Sequence, residues 1–198
     1  MALKIADIKC EIREVRLNNK PKHMIKVSPK GTVPILILKD RIIEESMEII
    51  DWVLEKKNIF QADLSNDEKK LTTNTIKLFD TKFKYHLDRY KYANRYSKVN
   101  YLDHRNECEN ILMNVENFIS CDEWFFGKDI NKLDISILPF IRQFRIADPN
   151  WFDNNGKIIK VKNYLHNFLE SKILNDVMIN YNVWTEESET SFFPITNQ

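Results

Sequence analysis

The chain has 198 residues, of which 43% are hydrophobic and 30% are charged, and this composition is typical of a folded globular protein rather than a disordered one. Lys and Arg together number 30 and Asp and Glu 29, and the resulting net charge of +1 excludes an overall field that would attract nucleic acid or an anionic membrane. The chain has only 3 glycines, and their wide separation excludes the clustered glycines of Rossmann and Walker phosphate-binding loops.

The first part of the chain is predicted to form a small α/β unit. Apolar and polar residues alternate in its strands, and apolar residues recur every three or four positions in its last helix. The Lys39-Asp40 pair is typical of a hairpin turn. The predicted elements are the end of a helix (1–6), a strand (8–17), two strands of a hairpin (34–38 and 41–43) and a helix (44–57).

After Ile59 the pattern becomes helical, and no further strand is expected. We therefore predict a boundary near residues 58–66, with domains at 1–58 and 66–185. Ser65 and Glu68 have the spacing of a capping box at the start of the first long helix. The predicted helices have apolar faces at Ile76, Phe79, Phe83, Leu87 and Tyr90; at Cys108, Ile111, Leu112, Val115, Phe118 and Ile119; at Ile137, Leu138, Ile141 and Phe144, with Pro139 expected to bend the helix; and at Ile158, Val161, Leu165, Phe168 and Leu169. We expect the polar end from Glu186 to Gln198 to be loosely docked.

The 3 cysteines form neither a CxxC pair nor an even framework, which favours reduced thiols in a cytoplasmic compartment. The interpretation of Cys10 and Cys108 is that they are buried or structural thiols, while Cys121 is a candidate for an exposed one. No signal peptide or transmembrane run is visible, because the longest apolar stretches have the length of a strand.

One segment carries a specific resemblance. The sequence SPKGTVPILILKDRIIEESMEIIDWVLE, which begins at Ser28, has a Val33-Pro34 pair before the predicted hairpin and a Glu45-Ser46 pair at the start of the next helix. It resembles the glutathione-binding core of the glutathione transferases, and the likeness continues in NNKPKHM, KFKYHLDRYKY and NKLDISILPFIRQFRIADPNWF. The chain looks most similar to a bacterial branch related to the omega class. The resemblance implies a thioredoxin-like domain followed by an all-helical domain.

The resemblance also implies a set of glutathione-binding residues. In this family the peptide bond before the matching proline is cis, so the backbone of Val33 would pair with the cysteinyl part of glutathione. Ser46 would hold the γ-glutamyl carboxylate at a helix N-terminus, and Glu45 would pair with the ammonium group. Lys20, in the NKP motif, would meet the glycyl carboxylate. Taken singly, Pro34 fits a strand-start proline, Ser46 a core-facing helix residue and Lys20 a solvated loop charge.

The function that follows from the resemblance is glutathione transferase chemistry, with glutathione as co-substrate and no metal. The reaction would be conjugation of glutathione to a small electrophile, as in detoxification, or thiol transfer to a mixed disulfide. The long helices from Ser65 and from about His104 would form a homodimer with the small domain of a second chain. The alternative is a non-catalytic binding or scaffold protein with the same fold.

The sequence departs from the family at its beginning. Family members begin with a strand whose end carries the Cys, Ser or Tyr that handles the glutathione sulfur, whereas this chain begins inside the equivalent of the following helix. We therefore predict no catalytic residue, and expect weak glutathione binding and little conjugation. Met1 is either the true start or an internal methionine. Restoring an upstream strand with a Cys or Ser is expected to recover activity.

Three further patterns have weaker interpretations. Asn131 and Asp134 resemble the N-capping box of the family's helical domain, for which we predict a structural role. The spacing of His104 and Cys108 suits either two metal ligands or two ordinary helix residues. The alternation of basic and tyrosine residues between Lys82 and Tyr101 suits nucleic-acid binding or a substrate pocket and dimer interface, and we regard nucleic acid as the weaker alternative.

Overall fold

The computed structural model describes residues 1–60, 63–120 and 122–194. The chain divides into two compact units: unit 1 holds Met1–Ile59 together with the residues from Lys172 onward, and unit 2 holds Phe60–Ser171. The sequence-based domain boundary at residues 58–66 corresponds to the junction near residue 59. The residues from Lys172 to 185, which the sequence analysis assigns to the helical domain, lie with unit 1.

Along the chain, the elements lie first in unit 1, then in unit 2 and finally in unit 1 again. In order they are α1 (Ala2–Ile5), β1 (Cys10–Ile12), α2 (Lys22–Val27), β2 (Leu36–Ile37), β3 (Ile42–Ile43), α3 (Ser46–Lys56), α4 (Asn66–Leu78), α5 (Lys84–Lys91), α6 (Tyr101–Glu116), α7 (Lys132–Ala147), α8 (Pro149–Asp153), α9 (Ile159–Glu170), α10 (Lys172–Val177) and β4 (Ser191–Phe193). None of the helices in the described ranges is long and apolar enough to cross a membrane.

The predicted hairpin is confirmed as the pair β2 and β3. Leu36 pairs with Ile43 and Ile37 with Ile42 in an antiparallel ladder. The N–H of Leu38 donates to the carbonyl of Arg41 at 2.9 Å and closes the turn. Both strands are shorter than predicted.

The C-terminal segment forms a strand that the sequence analysis does not predict. β4 pairs antiparallel with β1, with Cys10 opposite Phe193 and Ile12 opposite Ser191. The expectation that no strand follows Ile59 is therefore wrong. A three-residue strand is too short to show a clear alternation, and its partner lies at the other end of the chain.

The core of unit 1 forms where α3 packs on α1. Ile49, Ile50 and Val53 are buried on α3, at the spacing that the sequence predicts, and Ala2 and Ala6 are buried at the start of the chain. Complete burial of a side chain such as Val53 stabilises a fold by about 1.5 to 3 kcal/mol.

The first long helical segment of unit 2 begins with the predicted capping box. The N–H of Ser65 donates to the Glu68 carboxylate at 2.8 Å, and the N–H of Glu68 donates to the Ser65 hydroxyl at 3.3 Å. The segment continues from α4 through a π-helical turn at Phe79–Phe83 into α5. Phe79 and Phe83 are fully buried, as the apolar periodicity predicts.

The other apolar faces of unit 2 form its core, except that Leu169 is only half-buried and Phe118 is exposed. Phe118 is 55% exposed because α6 ends at Glu116, so the residue no longer follows the helical period. α7 runs through Pro139, although a proline removes one helical hydrogen bond. Burial of its neighbours Ile137 and Leu138 offsets part of that loss.

Candidate functional site

The loop that follows α2 is held in place by its own backbone and by a buried serine. Ser28 is fully buried, and its hydroxyl donates to the carboxylate of Glu44, just before α3. The N–H of Gly31 donates to the carbonyl of Ser28 at 2.9 Å. Gly31 has φ of +60°, a left-handed conformation that favours glycine, and a Cβ atom there would lie 2.9 Å from Cδ1 of Ile25 and displace the end of that side chain. The loop therefore presents the next residues in a fixed conformation.

Val33 presents an open main chain at the end of this loop. Its side chain is 48% exposed, and the Val33-Pro34 peptide bond is cis. Within the described part of the chain, no hydrogen bond uses the N–H or the carbonyl of Val33. Both groups are therefore available to an extended peptide, which pairs through its backbone.

The N-terminus of α3 is also open. Glu45 precedes the helix without capping it through its side chain, and the first helical bond runs from the N–H of Ile49 to the carbonyl of Glu45 at 3.1 Å. No acceptor among residues 1–60, 63–120 and 122–194 pairs with the N–H groups of Ser46, Met47 or Glu48. Such groups, with the positive end of the helix dipole, favour an anion. Ser46 is exposed and does not face the core.

Two lysines lie close to these backbone groups, Lys20 at the loop before Val33 and Lys30 at the start of α3. Nζ of Lys20 lies 3.6 Å from the position that a Cβ atom on Gly31 would occupy, two residues before Val33. Lys20 has no ion-pair partner among the residues that the structure describes. Nζ of Lys30 lies 3.4 Å from Oε1 of Glu45, and both side chains are more than half exposed. Of the predicted site residues, the structure thus brings Lys20 to the loop that carries Val33 and Pro34, and Glu45 and Ser46 to the α3 start.

The arrangement can recognise a small zwitterionic peptide with two carboxylates. The open main chain of Val33 offers one N–H and one carbonyl to a peptide backbone. The α3 N-terminus offers N–H donors to one carboxylate, Lys20 offers a cation to the other, and Glu45 offers an anion to an ammonium group. The four features occur within residues 20–48 of unit 1.

The described thiols are poorly suited to act as nucleophiles. Burial raises the pKa of Cys10 and raises the pKa of Cys108 far above its usual range. Sγ of Cys108 lies 3.8 Å from the carbonyl oxygen of Phe83 in the core of unit 2. The neutral thiol is therefore the dominant form of both cysteines at neutral pH. Cys121 lies outside the described residues.

The candidate metal ligands His104 and Cys108 do not come together in the structure, because His104 contacts His86 instead. Nδ1 of His104 lies 2.7 Å from Nδ1 of His86, while Cys108 faces the core. Among the residues that the structure describes, no group of three or more His, Cys, Asp or Glu side chains is arranged to hold a metal ion. The pair was missed because the two histidines lie 18 residues apart on different helices.

Three of the tyrosines between Lys82 and Tyr101, namely Tyr85, Tyr92 and Tyr96, lie under cations of the chain itself. The guanidinium of Arg89 lies 3.5 Å from the centre of the Tyr85 ring and 4.6 Å from that of Tyr96. Arg95 lies over Tyr92 at 4.0 Å. Rings covered in this way offer less free surface for stacked bases, which weakens the nucleic-acid interpretation.

The comparisons with known proteins identify the N-terminal part by sequence and the fold by structure. Residues 1–61 match the family model described as glutathione S-transferase, N-terminal domain. No curated protein shows significant sequence similarity to the chain.

Among solved structures, a glutathione transferase family member from Pseudomonas fluorescens with two glutathione bound has a TM-score of 0.74 at 16% identity, covering 88% of this chain and 83% of its own. Glutathione transferase Omega 3C from Trametes versicolor has a TM-score of 0.70 at 14% identity, covering 86% of this chain and 74% of its own. A glutathione transferase homologue from Sulfitobacter with bound glutathione has a TM-score of 0.56 at 15% identity, covering 79% and 77%. These likenesses establish the fold, a thioredoxin-like unit followed by helices.

Proposed function

We propose that this chain, a member of the glutathione transferase family, binds glutathione through unit 1. Val33 pairs with the cysteinyl backbone next to the cis Pro34, and Ser46 with the free N–H groups of α3 holds the γ-glutamyl carboxylate. Glu45 receives the ammonium group, and Lys20 receives the glycyl carboxylate. The observation that carries the proposal is that backbone groups of Val33 and of the α3 N-terminus have no hydrogen-bond partner among the residues that the structure describes. The bound glutathione in two structural neighbours supports it.

Glu45, the proposed partner of the ligand's ammonium group, forms an ion pair with Lys30. In the free protein the Glu45 carboxylate lies 3.4 Å from Nζ of Lys30, and both groups are largely solvated. Such an exposed pair contributes about 0 to 1 kcal/mol, so the ammonium group of a ligand can share or replace it at little cost. Glu45 is therefore available for the ligand although it has a partner.

The test of the proposal is calorimetric titration of glutathione into the full chain. We expect Ser46→Ala to weaken binding by about 1 to 2 kcal/mol, the range for a hydrogen bond to a charged group, with little change in melting temperature because Ser46 is exposed. Ser97→Ala, which changes an exposed serine of unit 2, is the matched control and should leave the affinity unchanged. Equal affinities for the parent and for Ser46→Ala would reject the assigned site.

The reaction that we propose is glutathione conjugation to an electrophile or glutathione-dependent thiol transfer. The second candidate is a non-catalytic binding or scaffold protein, and the raised pKa values of Cys10 and Cys108 favour it. An assay with glutathione and chlorodinitrobenzene separates the two. We expect little conjugation above the uncatalysed rate for this chain, because none of its motif residues is assigned to activate the sulfur. Turnover at ordinary enzyme rates would support the transferase and contradict that expectation.

We also propose that the protein is a cytoplasmic homodimer that acts in detoxification. Large apolar side chains on α5 and α6 are between 37% and 49% exposed, namely Tyr85, Tyr101, Leu102 and Met113. Exposed apolar residues on neighbouring helices favour burial against a second copy. Light scattering at micromolar concentration should give the mass of a dimer, and a monomeric mass would contradict this part of the proposal.

A further inference from the structure

Two side-chain contacts connect the loop that carries Val33 to the residues at the start of α3. The hydroxyl of Ser28 donates to the carboxylate of Glu44, and Nζ of Lys30 lies 3.4 Å from Oε1 of Glu45. Ser28 is fully buried, whereas both side chains of the second contact are more than half exposed. Solvent therefore weakens the contact of Lys30 with Glu45 much more than that of Ser28 with Glu44.

The backbone directs the two neighbouring glutamates to opposite sides. Glu45 has extended backbone angles, with φ of −110° and ψ of 136°, and successive side chains of an extended chain point in opposite directions. The Glu44 carboxylate accordingly reaches the buried Ser28, while Glu45 faces solvent. Glu44 is therefore turned away from the ligand that Glu45 and Ser46 would contact.

Ser28 joins three parts of unit 1. Its N–H donates to the carbonyl of Met24 in α2 at 2.8 Å, and its carbonyl accepts from the N–H of Gly31 at 2.9 Å. Its hydroxyl makes the third bond, to Glu44. The first two bonds belong to the main chain and do not depend on the side chain. Replacement of Ser28 by alanine therefore preserves the turn of the loop and removes the bond to the residue before α3.

We propose that Ser28 and Glu44 are positioning residues for glutathione, because their bond holds the main chain of Val33 and the N-terminus of α3 in the relative position that one tripeptide bridges. The inference rests on the proposed function, which assigns the cysteinyl and γ-glutamyl parts to these two groups. When the ammonium group of the ligand replaces Lys30 at Glu45, the bond between Ser28 and Glu44 still connects them. A site that is already held in its binding geometry binds more tightly, since less conformational freedom is lost on association.

The test is calorimetric titration of glutathione into the full chain and its variants. A hydrogen bond to a charged group favours one conformation by about tenfold or more, so we expect Ser28→Ala to weaken glutathione binding about tenfold. Glu44→Ala should have the same effect, and the double variant should bind no more weakly than either single variant, because all three lack the same bond. Glu44→Gln keeps an acceptor oxygen, and since a bond between neutral groups is roughly half as strong, it should weaken binding only about threefold.

Glutamine distinguishes positioning from damage to the α3 start. It has the carboxylate, ammonium and amide groups of the γ-glutamyl part of glutathione, but it lacks the cysteinyl unit that would pair with Val33. Its dissociation constant, measured by NMR titration, should be the same for the parent and for Ser28→Ala. Ser46→Ala should weaken the binding of both ligands. A merely structural fault in Ser28→Ala would weaken the binding of glutamine and of glutathione alike.

The matched control is Ser136→Ala. Ser136 is also buried, and its hydroxyl donates to the carbonyl of Lys132 at 2.7 Å in α7 of unit 2. This variant should lower the melting temperature, as Ser28→Ala does, and leave the affinities for both ligands unchanged. All titrations are made at a temperature where melting curves show that the variants are folded.

The outcomes separate the inference from the proposed function. Unchanged glutathione affinity in Ser28→Ala, with binding still weakened by Ser46→Ala, would overturn the positioning role and leave the glutathione site intact. Equal weakening of glutamine and glutathione binding by Ser28→Ala would also overturn the positioning role. Absence of glutathione binding in the parent would overturn both. If Ser28→Ala does not fold, Glu44→Gln decides, and an unchanged glutathione affinity in that variant would overturn the positioning role.

Discussion

The starts of α3 and α7 differ in whether side chains cap the first backbone N–H groups of the helix. At α7, Asn131 and Asp134 form a capping box, and both side chains are at least 99% buried. At α3, Glu45 does not cap through its side chain, and the first N–H groups have no partner in the described part of the chain. The buried cap belongs to the core of unit 2, whereas the open start is exposed to solvent. The contrast indicates which helix start stabilises the fold and which is available to an anion.

The Asp134 side chain at the α7 start also binds residues outside the first turn of the helix. The Asp134 carboxylate accepts from the N–H of Asn131 at 2.7 Å, from the N–H of Phe125 at 3.0 Å and from the hydroxyl of Tyr164 at 2.6 Å. Burial raises the pKa of Asp134 to about 6, so the carboxylate is still largely ionised at neutral pH. The residue thus joins α7, the preceding loop and α9 in one buried network.

We expect the largest effect on stability from a variant that removes the buried cap of α7. Asp134→Ala leaves the buried N–H of Phe125 and the hydroxyl of Tyr164 without their acceptor, and we expect it to lower the free energy of unfolding by about 3 to 4 kcal/mol. Urea denaturation measures this loss. Glutathione affinity at a temperature where the variant is folded should equal that of the parent, and a selective loss of binding would contradict the structural role of α7.

A smaller effect is expected from the exposed cation at the open site. Lys20→Met should weaken glutathione binding by about 0.5 to 1 kcal/mol, the range of an exposed ion pair, without changing the melting temperature. The difference between variant and parent should shrink as salt is added. Lys70→Met, which changes an exposed lysine of α4, is the matched control. A difference that persists at high salt would show that Lys20 does not act through charge.

The smallest expected effect concerns pH and the histidine pair of unit 2. The pKa of His86 is lowered, mainly by burial and then by the charges of His104, Lys82 and Arg89, while the carboxylate of Glu107 acts in the opposite direction. Since the folded state binds the proton less readily than the unfolded state, the contribution of His86 to stability is present above pH 6.5 and is lost as the pH falls through the lowered pKa.

The free energy of unfolding of the parent should therefore fall below pH 6.5, and that of His86→Gln should fall less. Urea denaturation between pH 7.5 and pH 5 measures the two slopes, and these limits are about one unit either side of the ordinary histidine pKa. His166→Gln changes a histidine that is 66% exposed and serves as the control. Identical slopes for the parent and His86→Gln would contradict the role of the histidine pair.

The sequence predicts the local features of the fold well. The β2–β3 hairpin and the two capping boxes depend on residues within a few positions of one another, and the structure contains all three. The apolar face of α3 follows from its period, with Ile49, Ile50 and Val53 buried as expected. Ser46 follows the same period yet is exposed, because it is the first residue of the helix.

The missed features depend on residues that are distant in the sequence. β4 pairs with β1 across nearly the whole chain. His86 meets His104 only because α5 packs against α6. Periodicity describes one element at a time, so it cannot show which elements pack together. The Lys20, Val33, Glu45 and Ser46 assignments, with the cis Pro34, came from family resemblance, and their role in binding stays a prediction.

The central claim is that glutathione occupies the open start of α3 and the main chain of Val33. An NMR titration of the isotope-labelled full chain with glutathione tests it directly, because each backbone amide reports its own environment. We predict that the amide signals of Val33, Ser46, Met47 and Glu48 shift with a common saturation curve, while those of Leu133 and Asp134 at the capped α7 start do not move. Unchanged signals at Val33 and at the α3 start under saturating glutathione would contradict the account.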